Sequence, residues 1–150
     1  MLNLKPLLLE KCIQLVETRL QSIQKQIKDI HESLNSETKS SAGDKHETGR
    51  AMIQLEREKL GERLAEIEKN QIILTKINSS QSAKSVGLGS LVFTNKANYF
   101  ISVSLGEIEV NGTKFYAISS ASPIGQALLG KKVNDNVEFR GQKFTMQDVC

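Results

Sequence analysis

The stretch "LEKCIQLVETRLQSIQKQIKDIHESL", residues 9–34, decides how the first half of this chain folds. Its apolar residues Leu9, Ile13, Val16, Leu20, Ile23, Ile27, Ile30 and Leu34 follow one another at spacings of 4, 3, 4, 3, 4, 3 and 4. A mean step of about 3.5 residues holds these side chains on one narrow stripe of a helix, which calls for a second helix to cover it. A candidate partner lies further along. Ile53, Leu60, Leu64, Ile67 and Leu74 form a seam of the same period, with Arg57 and Gln71 as its polar members. Antiparallel pairing sets Ile30 against Ile53, Ile23 against Leu60, Leu20 against Leu64, Val16 against Ile67 and Leu9 against Leu74. Each pair of numbers sums to 83 or 84, so the chain reverses about residue 42. The polar, glycine-containing "NSETKSSAGD", residues 35–44, favours a turn over one continuous helix. The seam from Leu9 to Leu34 makes a rod about 39 Å long at about 1.5 Å per residue.

Composition divides the chain. Phe93, Tyr99, Phe100, Phe115, Tyr116, Phe139 and Phe144 are its only aromatics, and all lie in the second half. Between the halves "NSSQSAKSVGLG", residues 78–89, is Ser/Gly-rich linker material. The expected organisation is a helical hairpin over 1–78 with its tip near 36–48, a linker at 79–85 and a β-rich domain over 86–150. In that domain "GSLVFTN" and "NYFISVSL" read as strands, being rich in β-branched and aromatic residues. Asn111-Gly112 in "EIEVNGTKFYAIS" is a hairpin-turn signal, and "VEFRGQKFTM" turns at Arg140-Gly141. "SPIGQALLGKK" reads as a short helix, with Ser122 as its cap, Pro123 at the first helical position and Gly130 at its end. The fold class is α+β.

Charge and motif content narrow the function. The formal net charge is +3, from 20 basic and 17 acidic residues interspersed along the chain, which falls short of the basic stripe of an autonomous nucleic-acid binder. Weak or no DNA binding by the free protein is expected. The run Leu7, Leu8, Leu9 is interrupted at once by Glu10 and Lys11, too soon for a signal peptide or membrane span, and a cytoplasmic protein is expected. Cys12 and Cys150 show no metal-ligand spacing. No P-loop, nucleophile elbow or dinucleotide fingerprint marks an active site of the chain's own.

The hairpin tip carries "GDKHE", residues 43–47. Two readings of its acids stand side by side. Asp44 is an N-cap with Glu47, three residues on, completing a capping box. Alternatively, residues three apart at a helix start project to one side, so the two carboxylates can share a hard cation such as Mg²⁺. Two exposed carboxylates hold Mg²⁺ poorly by themselves, so the second reading requires further ligands from a partner's active site. His46 is left out of the metal site, because imidazole is not a usual Mg²⁺ ligand.

The run "SASPIGQALLGKKVNDNVEF", residues 120–139, with the "GSLV" strand upstream, resembles the C-terminal domain of the bacterial Gre transcript-cleavage factors, a domain of FKBP-like fold. The resemblance covers about residues 86–149. Gre factors also carry an N-terminal antiparallel coiled-coil hairpin with a Gly-Asp-x-x-Glu tip, matched here by Gly43, Asp44 and Glu47. The resemblance implies a protein that docks its C-terminal domain at the secondary channel of bacterial RNA polymerase and inserts the hairpin. Asp44 and Glu47 would then help hold an Mg²⁺ ion of the polymerase while it hydrolyses the 3′ end of backtracked RNA. It implies an accessory factor rather than an enzyme, with no cofactor of its own. RNA is met only within the complex, and Ser122, Pro123 and Ile124 become candidate polymerase contacts.

The chain departs from the family pattern after Glu47. Thr48, Gly49 and Arg50 stand where the family has an Asn and, slightly later, a Tyr, and Asn134 stands where a Gly is common before Asp135. A Gre-like modulator or inhibitor that occupies the channel without promoting cleavage is the alternative. A coiled-coil adaptor is a third reading, and a prolyl isomerase, suggested only by the FKBP-like fold, is the weakest. A monomer is expected from the hairpin. Cysteines introduced at Leu20 and Leu64 should therefore form a disulfide within one chain, seen on a non-reducing gel as a fast-migrating monomer. Crosslinking only between chains would rule out the hairpin.

Overall fold

The computed structural model describes the backbone of residues 4–39 and 43–150, and the side chains of 4–35 and 48–150. Helix α1 (Lys5–Lys39) has Pro6 in its first turn, where a missing N–H costs no intrahelical bond, and no further Pro or Gly interrupts it. Helix α2 (Gly43–Thr75) follows. The interval between them, 40–42, contains the expected pivot and, like residues 1–3, lies outside the described residues.

Residues 16–71 form one compact unit, the antiparallel coiled-coil hairpin. Its burial follows the seam. Val16 and Ile23 on α1 are buried, with Leu20, Ile27, Ile30 and Leu34 half-buried. On α2, Leu60 and Ile67 are buried and Ile53, Leu64 and Gln71 half-buried, while Arg57 is exposed. Gln71 Nε2 donates to Glu17 Oε2 at 3.5 Å, joining the two helices beside the seam.

The other unit comprises residues 1–15 and 72–150, and here the expected seam needs correcting. Ile13 is 49% exposed and Leu9 only half-buried, whereas Leu8 and Cys12 are fully buried. Burial thus runs Leu8, Cys12, Val16, Leu20 in steps of four before the alternation of three and four resumes. Steps of four rotate the buried stripe around the helix, as a stutter does in a coiled coil. The physical reason is a different neighbour. The Cys12 thiol is hydrogen-bonded to the Ser102 side chain, and Lys11 Nζ donates to the Glu109 carbonyl, so the first turns of α1 answer to a sheet.

That sheet has six strands: β1 (Leu91–Thr94), β2 (Asn98–Ser102), β3 (Gly106–Val110), β4 (Thr113–Ser119), β5 (Asn136–Phe139) and β6 (Gln142–Val149), in the spatial order β3-β4-β2-β1-β6-β5. β3 and β4 are joined through Asn111 and Gly112, with φ 51° and 80°, the left-handed pair a tight hairpin turn requires. Arg140 and Gly141, at 52° and 78°, do the same between β5 and β6. All pairings are antiparallel except β2 with β4, where Tyr99 faces Tyr116 and Ser102 faces Ser119 in parallel register.

Strand alternation gives the sheet two faces. On one, Val92, Ile101, Phe144, Met146 and Val149 pack with Leu128 of the short helix α3 (Pro123–Leu128). On the other, Phe100 and Ser102 point toward the base of α1, where Ser102 meets Cys12. Phe100 and Phe115 are fully buried, each worth about 1.5–3 kcal/mol relative to an exposed side chain.

Two glycines make opposite predictions. A Cβ added at Gly61, in the middle of α2, meets nothing within 4 Å, so Gly61→Ala should stabilise by about 0.5–1 kcal/mol and raise the melting temperature. At Gly125 a Cβ would lie 2.1 Å from the Ser119 carbonyl oxygen and 3.0 Å from the Ser120 Cα, both backbone. Gly125→Ala should lower the melting temperature, at a cost of about 1–3 kcal/mol or more. Thermal melts of the two variants check both signs.

Candidate functional site

Two places carry the candidate residues. At the hairpin tip, α2 is already helical at Gly43, which sets Asp44 inside the first turn rather than at the N-cap position. Asp44, His46 and Glu47 have side chains outside the described residues. Just beyond them, Thr48 and Arg50 are exposed and Gly49 is half-buried.

The second place is the start of α3, built by its own loop. Ser122 has the extended backbone of an N-cap (φ −68°, ψ 157°), and Pro123 opens the helix. Ser122 Oγ accepts from the Gly125 N–H at 3.1 Å and donates to the Ser119 carbonyl at 2.6 Å. Gln126 Nε2 closes the same loop by donating to the Ser120 carbonyl at 2.6 Å. The three candidate contacts therefore differ in surroundings. The Ser122 hydroxyl serves the cap, Ile124 packs half-buried against the α3 side of the core, and Pro123 is exposed.

Beyond α3, Gly130 (φ 78°) donates its N–H to the Val86 carbonyl, and Val86 returns a bond to the Lys131 carbonyl, each at 2.9 Å. Asp135 Oδ2 accepts from the Lys132 N–H at 2.7 Å. Asn134 has φ 73°, with its N–H donated to the Met146 carbonyl. Only Gly and, among ordinary residues, Asn or Asp adopt that backbone readily, which accounts for an Asn where a Gly is common.

The base of α1 adds residues that no sequence pattern marks. Lys5 is only 4% exposed, and its ammonium donates to the carbonyls of Gln81 at 2.7 Å and Cys150 at 3.1 Å, fastening the helix start to the link and to the chain beyond β6. Burial lowers its pKa below the usual lysine range, and an interaction with Cys150 opposes that shift. Burial pushes the Cys12 thiol up to about 11, against the pull of its hydrogen bond with Ser102. A lone Lys at a helix start or a lone Cys among leucines has no pattern that marks it, because the partners are about 75 to 145 residues away. Among the described residues no helix is long and apolar enough to cross a membrane, and no three His, Cys, Asp or Glu side chains gather as metal ligands.

The described residues thus form two long helices followed by a six-stranded sheet with one short helix. Residues 82–147 match the family model described as "Transcription elongation factor, GreA/GreB, C-term". This segment of the chain is therefore similar to the C-terminal domain of the GreA/GreB elongation factors. Among solved structures it is similar to one titled "Structure of the transcription factor Gfh1", at 18% identity over 91% of this chain and 92% of that one, with a TM-score of 0.37. No curated protein matches the chain significantly in sequence.

The Cys12 shift carries a pH dependence. A thiol whose folded pKa is raised from 9.0 to about 11 binds its proton more tightly when folded, so its contribution is complete below about pH 9 and is lost as pH rises toward 11. Lys5, with a lowered pKa, acts with the opposite sign, so the comparison must isolate the thiol. Between about pH 9 and 11 the wild type should lose more stability than Cys12→Ala in parallel urea titrations. Equal losses would show that the thiol does not titrate late.

Proposed function

We propose that this factor docks on bacterial RNA polymerase at the secondary channel through its C-terminal domain and presents the hairpin tip to the polymerase active site. There Asp44 and Glu47 supply charge and oxygen ligands for Mg²⁺-dependent hydrolysis of backtracked RNA. The observation that carries the reading is a Gre C-terminal domain on the same chain as a hairpin whose second helix opens on Gly43, Asp44 and Glu47. The two carboxylates are too few to hold Mg²⁺ alone, which keeps its waters and near-octahedral geometry, so the remaining ligands belong to the polymerase. In two-metal hydrolysis one ion activates the attacking water and the other stabilises the leaving oxygen, and a carboxylate pair delivered from outside completes such a site. The hairpin supplies reach, and Ser122, Pro123 and Ile124 are the proposed docking contacts, with exposed Pro123 the most accessible.

A second reading rests on Thr48, Gly49 and Arg50. Arg50 lies three residues beyond Glu47 on the same helix, the spacing at which side chains of opposite charge can interact. A tip so neutralised occupies the channel and modulates polymerase without promoting cleavage.

The deciding experiment adds the protein to stalled, backtracked complexes of its cognate polymerase and follows the RNA length. Shortened RNA supports cleavage, and unchanged RNA with slower restart supports the modulator. The double variant Asp44→Asn, Glu47→Gln removes both negative charges. Asn caps about as well as Asp, Gln serves in a capping box, and a first-turn carboxylate is worth only about 0.3–1 kcal/mol through the helix dipole. The variant should melt close to the wild type, still bind polymerase and fail to shorten RNA. If it cleaves as well as the wild type, the acids are structural.

A further inference from the structure

The sheet face that carries α3 continues past it toward the β3 edge. There the strand register sets Tyr99 beside Tyr116 and Tyr116 beside Glu107 in one row across β2, β4 and β3. The two tyrosine rings lie 6.1 Å apart at 38°. In the neighbouring row Lys114 faces Glu109, and its Nζ also lies 3.4 Å from Glu107 Oε1. Tyr99 is half-buried, with one side against the α3 cluster, whereas Tyr116 is 42% exposed and Glu107, Glu109 and Lys114 are exposed. Packing does not demand this arrangement, because Phe115 and Ala117, the neighbours of Tyr116 on the opposite face, are the buried members of β4.

The chemistry of the patch selects its occupant. Two phenol rings offer π-faces, and the two exposed carboxylates of Glu107 and Glu109 share the Lys114 ammonium on this face, while the Lys11 ammonium bonds the backbone carbonyl of Glu109. A guanidinium stacks on an aromatic ring and pairs with a carboxylate in a planar fork, which an ammonium does less well. Phosphate backbones are repelled by the same carboxylates, which disfavours nucleic acid as the occupant. We propose that Tyr99 and Tyr116, together with Glu107 and Glu109, form a docking surface for an arginine-bearing segment of RNA polymerase. This rests on the reading of the chain as a polymerase-binding factor and adds a contact on the sheet to the start of α3.

The test measures binding of the full-length protein to cognate core polymerase by competition against a labelled wild-type chain. Tyr116→Ala should weaken binding about tenfold, as truncating an interfacial tyrosine anchor does. Glu107→Lys and Glu109→Lys should each weaken it, with a loss that shrinks as salt is raised. All three should melt like the wild type; the charge reversals keep the test decisive if Tyr116→Ala loosens the sheet, since both carboxylates are exposed. Wild-type binding with unchanged affinity in every variant overturns the surface and leaves the polymerase reading standing. Tighter binding by the reversals also overturns it, because that is the response of a surface facing phosphates. If the wild type does not bind polymerase at all, both the reading and this surface fall.

Discussion

One constraint governs the first half of the molecule: an apolar stripe along a helix must be covered. A single helix in water gains little from its backbone, and most of its stability comes from packing such a stripe against something else. From Val16 to Leu34 the cover is α2, and the burial of Leu60 and Ile67 records it. Nearer the start, the buried residues shift to Leu8 and Cys12, one position along from Leu9 and Ile13, because α1 there meets β2 and β3. One continuous helix thus serves two neighbours by rotating its buried stripe.

The C-terminal domain depends on a comparable economy around α3. Six residues make too short a helix to be stable alone. It is held by its loop, where Ser122 and Gln126 satisfy the carbonyls of Ser119 and Ser120, and by Leu128, fully buried under the sheet. Gly125 permits the close approach of Ser119 that this loop needs. The hydroxyl of Ser122 is engaged in its structural bonds, whereas the ring of Pro123 is exposed.

Much of this was legible in the sequence, and the remainder was not for physical reasons. Local signals were sufficient for the turns at Asn111-Gly112 and Arg140-Gly141 and for α3, because cap and turn chemistry is decided by residues within four of one another. The α2 seam was readable despite Arg57 and Gln71, since a period survives two polar substitutions. The stripe at Leu8 and Cys12 was not, because alternative periods through leucine-rich sequence differ only by which neighbour is present. The parallel pairing of β2 with β4, which places β3 at the edge, was likewise hidden, because alternation within a strand carries no information about its partners. At the tip, the spacing of Asp44 and Glu47 was legible but admits two chemistries, and a helix beginning at Gly43 favours a first-turn position for Asp44 over a cap.

The distribution of packing obligations bears on how the tip should be read. The seam's outermost members are Leu34 on α1 and Ile53 on α2, both only half-buried. Residues 48, 50, 51 and 52 beyond Ile53 are exposed, Met52 to 68%. Their side chains contribute little to holding the hairpin together, so the fold places little constraint on their identities. Substitutions that would be filtered by stability near Leu60 or Val16 are tolerated there, with surface changes usually within about 0.5 kcal/mol. At Thr48 and Arg50, both exposed, the packing of the hairpin therefore places little demand on which residue stands there.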